Sequence, residues 1–261
     1  MSDILQELTE LRRRDAMLRE AEVPFAEMMR RVEATPPPRD VTPQLSLADS
    51  PRVIAELKRA SPSEGMIRED FRPVELAREL VAAGAAALSV LCEPHRFLGD
   101  EKYLQAVRKV VDVPILYKDF LSTRYQIAAA RAAGADVVLL IAAVLDDPTL
   151  KDLLDFAHGL GLAALVETHD EDEIARSVQA GARIIGVNCR NLRNFATDVS
   201  LLEALVGRIP RPCLRVAESG MHTADAIRRA KAAGADGFLV GTALMRAPSP
   251  GKKLTELLTN H

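Results

Sequence analysis

The sequence predicts a closed (β/α)8 TIM barrel with an N-terminal helical extension, and three observations carry the prediction. One phrase recurs: "AAGAAALSVL" around Gly84, "AAGADVVLLI" around Gly134, "QAGARIIGV" around Gly181 and "AAGADGFLV" around Gly234. Each joins a helical pattern to a glycine suited to a helix C-terminus, then to an apolar run suited to a buried parallel strand. The glycines lie 50, 47 and 53 residues apart. One βα unit needs only about 25–30 residues, so each interval should hold two.

The intervening strands are readable in order. "RVIAELK" (Arg52 to Lys58) precedes the first phrase, "VPILYK" the second, "LAALVE" (Leu162 to Glu167) the third and "LRVAES" (Leu214 to Ser219) the fourth. Eight apolar runs, each followed by a helical pattern, fit a closed barrel better than a doubly wound open sheet, which usually has fewer strands. Helix starts are marked by Asp147 before Pro148, by Asp170 with Glu173 three residues later, and by Thr223 before "ADAIRRA". These are N-cap and capping-box patterns.

Residues 1–50 precede the first strand. They carry an amphipathic stretch (Ile4, Leu8, Leu11, then Leu18) and the stiff segment "TPPPRDVTP". Consecutive prolines favour an extended connection. The expectation is a helical flap over one end of the barrel, the alternative a partly ordered tail; residues 51–261 then form a single catalytic domain.

Composition narrows the function classes. A chain of 261 residues, 48% hydrophobic and 27% charged with net charge −3, can bury a sizeable core and has no basic excess to attract nucleic acid. The longest apolar run, Val137 to Leu145, is about half a membrane span. The opening "MSDILQELTELRRRD" lacks the apolar centre of a signal peptide. Cys92, Cys189 and Cys213 form no C-x-x-C pair, which argues against a disulfide framework or zinc cluster and for a reducing cytoplasm. No phosphate-loop or dinucleotide fingerprint is present, so no nucleotide cofactor is expected. The five histidines read as surface or loop residues, and Cys189 should point away from any pocket.

Chemistry gathers at the strand ends. The first strand finishes Glu56-Leu57-Lys58, the third on Lys118, the fifth on Glu167, the sixth on Asn188 with Arg190 just beyond, the seventh on Glu218-Ser219 and the eighth on Gly241-Thr242. A charged residue at one strand exit is ordinary. In a parallel barrel, however, all such ends converge on one rim, where the active sites of this fold lie. Glu56 and Lys58, two apart, share a face while Leu57 opposes them. Lysines beside glutamates suit acid–base work. Ser219-Gly220 and Gly241-Thr242 lie before helix starts, where backbone N–H groups attract phosphate.

With these residues in hand, the chain resembles the indole-3-glycerol phosphate synthase family from about Pro51 to Met245. The resemblance rests on "VIAELKRASPSEG", "PILYKDF", "LVETHDEDEI", "GVNCRNL", "VAESGM" and "FLVGTALMR". It implies ring closure of 1-(2-carboxyphenylamino)-1-deoxyribulose 5-phosphate with loss of CO2 and water. Lys118 would be the general acid, and Lys58 would contact the substrate carboxylate and assist dehydration. Glu167 and Glu56 would be the carboxylates that remove protons. Asn188 would orient the substrate, with Arg190 beside it holding charge. Phosphate would fall to Ser219, Gly220, Gly241 and Thr242. Ser61, lining the first loop, and Glu218 would contact the substrate, with Phe97, Phe120, Leu139 and Leu239 forming an apolar floor. The implied partner is a small phosphorylated substrate, with neighbouring pathway enzymes as further candidates, and neither metal nor organic cofactor is implied. The second loop departs from the family in carrying Leu98 and Asp100. An isomerase of a related sugar amine and a non-catalytic scaffold are the competing readings.

Overall fold

Runs rich in β-branched residues and leucine become eight parallel strands in the computed structural model, which describes residues 3–46, 51–189 and 199–259. They are β1 (Arg52–Leu57), β2 (Ala87–Leu91), β3 (Ile115–Lys118), β4 (Val137–Ile141), β5 (Ala163–Thr168), β6 (Ile184–Val187), β7 (Leu214–Ala217) and β8 (Gly237–Val240). Each pairs in parallel with its sequence neighbour. β1 also pairs with β8, Arg52 opposite Gly237 and Ala55 opposite Val240, so the sheet closes and the open-sheet alternative is excluded.

Period-two alternation divides the core in two. Val53, Ala55 and Leu57 of β1 lie in the layer between strands and helices. Ile54 faces the barrel interior with Leu116, Leu139, Leu165, Ile184 and Leu239. Further along the same inward columns the apolar side chains give way to Glu56, Lys118 and Glu167. One end of the barrel is thus greasy and the other charged.

The outer helices are α4 (Pro73–Ala82), α5 (Glu101–Arg108), α6 (Arg124–Ala132), α7 (Asp147–Gly159), α8 (Glu171–Ala180), α9 (Val199–Val206), α10 (Ala224–Ala232), α11 (Thr242–Arg246) and α12 (Pro250–Thr259). Gly84, Gly134, Gly181 and Gly234 all take the left-handed backbone, with φ of 98, 96, 94 and 104°, as their place after helices requires. Two helix starts differ from expectation. The N-cap of α7 is Asp146, whose carboxylate accepts the Thr149 N–H, so Asp147 is already helical. At α8, Asp170 accepts the Glu173 N–H, but the Glu173 carboxylate reaches back to the His169 N–H instead of closing the box on Asp170. A full box, Thr123 with Gln126, opens α6.

The N-terminal segment serves both ends of the barrel rather than one. Helices α1 (Asp3–Glu22), α2 (Phe25–Ala34) and α3 (Thr42–Ser46) precede β1. Leu5 and Leu8 of α1 join the interior cluster, and Leu5 reaches the cavity at the charged end. Val41 and Leu45 close the apolar end against Ile54, Leu116 and Ile184. Helix α2 packs Met28 and Val32 on Tyr125 and Ala129 of α6. The proline segment runs between these contacts: Arg131 donates to the Thr35 and Pro36 carbonyls, and the Arg39 N–H to Asp136.

Leu18, expected on the buried stripe of α1, is 70% exposed. On the inward stripe Leu5, Leu8 and Ala16 are buried, with Arg12 half-buried among them. A hydrophobic pattern alone misplaces it because Arg12 and Arg19 dock by charge, onto Asp119 and Glu101. Among the described residues no helix is long and apolar enough to cross a membrane.

Candidate active site

Because the strands are parallel and closed, inward residues at their C-terminal ends share one cavity. Among the described residues, all those singled out from the sequence line it except Ser61. Its centre is a web of charge. Lys118 Nζ lies 2.8 Å from Glu167 Oε2 and 2.9 Å from Glu218 Oε2. Lys58 Nζ lies 2.7 Å from Glu56 Oε1. Asn188 Nδ2 donates to Glu167 Oε1 at 3.0 Å, and its Oδ1 accepts the Ser219 hydroxyl. Glu56, Lys58, Glu167, Glu218 and Ser219 are all buried, so each charge depends on its partners.

These environments drive the carboxyls apart. Burial pushes the Glu167 pKa up, but the Lys118 ammonium and then His169 outweigh it and hold it down at about 2. For Glu218, burial dominates; Lys118 opposes it and the Glu167 charge reinforces it, so the carboxyl is pushed up to about 8. Glu218 Oε1 is buried with no hydrogen-bond partner, which suits a carboxyl that keeps its proton. Burial would neutralise Lys118, yet Glu167, Glu218 and Glu56 together raise its pKa above the ordinary lysine value. Around Lys118 the site therefore gathers a firm cation, a firm anion and an acid that keeps its proton near neutral pH, the separation from which acid–base assignments follow.

Beside this web lies an apolar wall. Phe97 and Phe120 stand 6.1 Å apart between ring centroids, tilted by 44°, with Leu139 and Leu239 below and Leu5 from α1 above. Phe97 is positioned by Glu93, fully buried, whose carboxylate accepts the N–H groups of His95, Arg96 and Phe97 at 2.6–2.8 Å. In the same loop Leu98 has a φ of +52°, a left-handed conformation that a glycine would adopt without strain.

At the opposite side Ser219, Gly220, Gly241 and Thr242 line the cavity. Thr242 Oγ1 is buried and has no hydrogen-bond partner. Gly241 has a steric reason to lack a side chain, since a Cβ there would run into the Glu56 carboxylate and come 3.1 Å from Lys58 Nζ. Among the described residues no group of three or more His, Cys, Asp or Glu side chains could hold a metal ion.

One expected site residue stands elsewhere. Ser61 is buried in a two-residue hairpin with Gly65–Met66, its hydroxyl 3.3 Å from that of Ser63, off the cavity wall. The hairpin folds the first loop so that this hydroxyl is spent within the turn. Arg190 lies outside the described residues. Cys189 is buried in the outer apolar layer, as alternation from Asn188 requires. The sequence reading missed His169, which is no simple surface residue: its Nδ1 lies 3.1 Å from Glu173 Oε2 and its Nε2 3.6 Å from Glu167 Oε1. Its position two residues beyond Glu167 was the available signal, since such residues share a face. His222 and Leu5 on the cavity wall were also missed; neither shows a local pattern that points there.

A closed parallel barrel whose C-terminal rim gathers two lysines, three glutamates and an asparagine is an enzyme of the acid–base class. The model of the family described as "Indole-3-glycerol phosphate synthase" matches residues 5–257. Indole-3-glycerol phosphate synthase of Aliarcobacter butzleri is 43% identical over 97% of both chains, and that of Albidiferax ferrireducens is 44% identical over 98% of both. The chain belongs to the indole-3-glycerol phosphate synthase family. Among solved structures, 3-hexulose-6-phosphate synthase from Salmonella typhimurium superimposes with a TM-score of 0.64 at 15% identity, covering 79% of this chain and 96% of that one. That likeness shows the fold alone.

Proposed function

We propose that this chain closes the indole ring of 1-(2-carboxyphenylamino)-1-deoxyribulose 5-phosphate with the residues described above. The ring carbon bearing the carboxylate attacks the ketone carbon, and Lys118, held cationic by Glu167 and Glu218, protonates the ketone oxygen. Loss of CO2 restores the aromatic ring. The new hydroxyl then leaves as water with a proton from an ammonium group, Lys58 being placed for it, while a carboxylate, Glu167 or Glu56, removes the proton from the adjacent carbon. The balance is one substrate, as its carboxylate, and one proton from solvent to indole-3-glycerol phosphate, CO2 and water.

Binding groups divide between two ends. Lys58 faces the substrate carboxylate, the Phe97–Phe120 wall takes the aromatic ring with Leu139 and Leu239, and Asn188 orients the ribulose hydroxyls. Ser219, Gly220, Gly241 and Thr242 take the phosphate, a reading supported by the buried, unpartnered Thr242 hydroxyl. Holding both ends of a flexible chain at attack distance supplies much of the rate gain. Residues 1–50 act as the cover of a single catalytic domain, residues 51–261, working in the cytoplasm.

The observation that carries this reading is the Lys118 ammonium held between Glu167 and Glu218 at 2.8 and 2.9 Å. Lys118→Ala should lower indole formation, followed by fluorescence, by about 10³-fold while leaving the circular dichroism spectrum unchanged. Activity near that of the wild type would remove the assignment.

A further inference from the structure

Glu167 has a partner that the ring-closure scheme does not use. His169 follows it at the end of β5, with 19% of its side chain exposed, and it is not on the cavity wall. One oxygen of Glu173, in the first turn of α8, lies 2.8 Å from the His169 backbone nitrogen and 3.1 Å from ring Nδ1. An ionised carboxylate only accepts, so Nδ1 carries a hydrogen. The ring is thereby fixed with Nε2 facing Glu167 Oε1 at 3.6 Å, and Nε2 is buried without a hydrogen bond. A neutral ring would turn its lone pair on a carboxylate, whereas an imidazolium turns an N–H on it.

Resting on the reading of Glu167 as a base, we infer that His169 is a positioning residue: clamped by Glu173, it presents an Nε2–H that steers the Glu167 carboxylate and keeps it ionised. Glu167 is then held from three sides, by Lys118 on Oε2, Asn188 on Oε1 and His169 behind Oε1. When substrate draws Asn188 away, Oε1 can close the remaining gap to Nε2, a tightening common on ligand binding.

Among the described residues, the charged groups facing the ring are Glu167 from β5, Glu173 from α8 and Glu218 beyond β7, with Lys118 on the far oxygen of Glu167. Burial pulls the His169 pKa down, but Glu173, Glu167 and Glu218 outweigh it and raise it above the ordinary histidine value. The cation is present below that raised value and lost as pH rises through it. The steering contact should fail on the alkaline side, and kcat with it.

The test compares His169→Asn, His169→Gln and Glu173→Gln by steady-state indole formation from about pH 6 to 10, with NMR titration of the histidines in the wild type and in Glu167→Gln. H169N, too short to reach Glu167, should lose about tenfold in kcat with KM nearly unchanged, and should lose the alkaline limb. H169Q, whose amide reaches the Nε2 position, should recover most of kcat without the pH dependence. E173Q should move that limb to lower pH. The His169 midpoint should fall in E167Q. A merely structural histidine at the start of α8 would change unfolding temperature alone. Wild-type kcat and pH profile in H169N, beside an inactive E167Q, would overturn the inference and spare the function. An active E167Q would overturn the base assignment and the positioning role together. An unmoved His169 midpoint in E167Q would overturn the contact whatever the kinetics.

Discussion

Replacing Arg12 with methionine asks whether charge holds the N-terminal helix over the cavity. The guanidinium grips Asp119 by Nε to both oxygens (3.0 and 3.1 Å) and by Nη2 to Oδ2 (2.8 Å). The Asp119 side chain is 0% exposed and that of Arg12 15%. Methionine keeps the unbranched stem and its apolar contacts but leaves a buried carboxylate without its cation. Removing one partner of a buried pair costs about 3–5 kcal/mol. Two features place the cost at the low end. The Phe120 N–H still donates to Asp119 at 2.8 Å, and burial already raises the Asp119 pKa above the ordinary carboxylate value despite Arg12.

We expect a loss of about 3 kcal/mol near pH 8, or about 6–12 °C in Tm for a chain of this size. The sign with pH follows from linkage. Without Arg12 the folded carboxyl binds its proton more tightly than the unfolded one, so acidification favours the folded state and the deficit should shrink as pH falls. Asp119→Asn added to Arg12→Met should restore about 2 kcal/mol, because the uncompensated charge is gone. Urea unfolding followed by circular dichroism measures all four members of the cycle. A deficit under about 1 kcal/mol, additive single changes, or a deficit that grows on acidification would refute the reasoning.

The remaining predictions concern the cavity. Folded Glu218 keeps its proton up to about pH 8 whereas an unfolded glutamate releases it near ~4.3. Between those values the folded state binds more protons and loses stability as pH rises; Glu218→Gln should flatten that slope in the urea midpoint, and an unaltered slope would assign it elsewhere. Glu93→Ala strips the acceptor from three backbone N–H groups and lets Phe97 move. KM for the carboxyphenylamino sugar phosphate should rise by about tenfold with a smaller change in kcat, and an unchanged KM would show that the loop holds its shape without Glu93.

The strand ends show how far local pattern reaches. Leu57 between Glu56 and Lys58 told which side chains share a face, and β1 obeys: Leu57 is in the outer layer while Glu56 and Lys58 meet in the cavity. Lys118 at the end of "VPILYK" was legible for the same reason, and so was Cys189 turned away from the site. The aspartate directly after Lys118 was not, because its partner, Arg12, lies 107 residues earlier on a helix whose buried stripe mixes leucine with arginine. Leu18 was misplaced for the matching reason, that a hydrophobic stripe cannot register ion pairs. Ser61 failed because a tight hairpin turns its hydroxyl onto Ser63, a geometry set by the loop and not by the motif.

Taken alone, the order of residues determined the eight strands, the inward set on each and hence the chemical inventory of the rim, since alternation and helix punctuation are short-range properties of the chain. Only the closed tertiary structure decided that Lys118 sits between Glu167 and Glu218, that Glu218 is the acid left protonated, and that α1 and α3 cover opposite ends. Those outcomes depend on distances and burial across the barrel, where partners tens of residues apart are brought together by ring order and closure, which no local periodicity encodes.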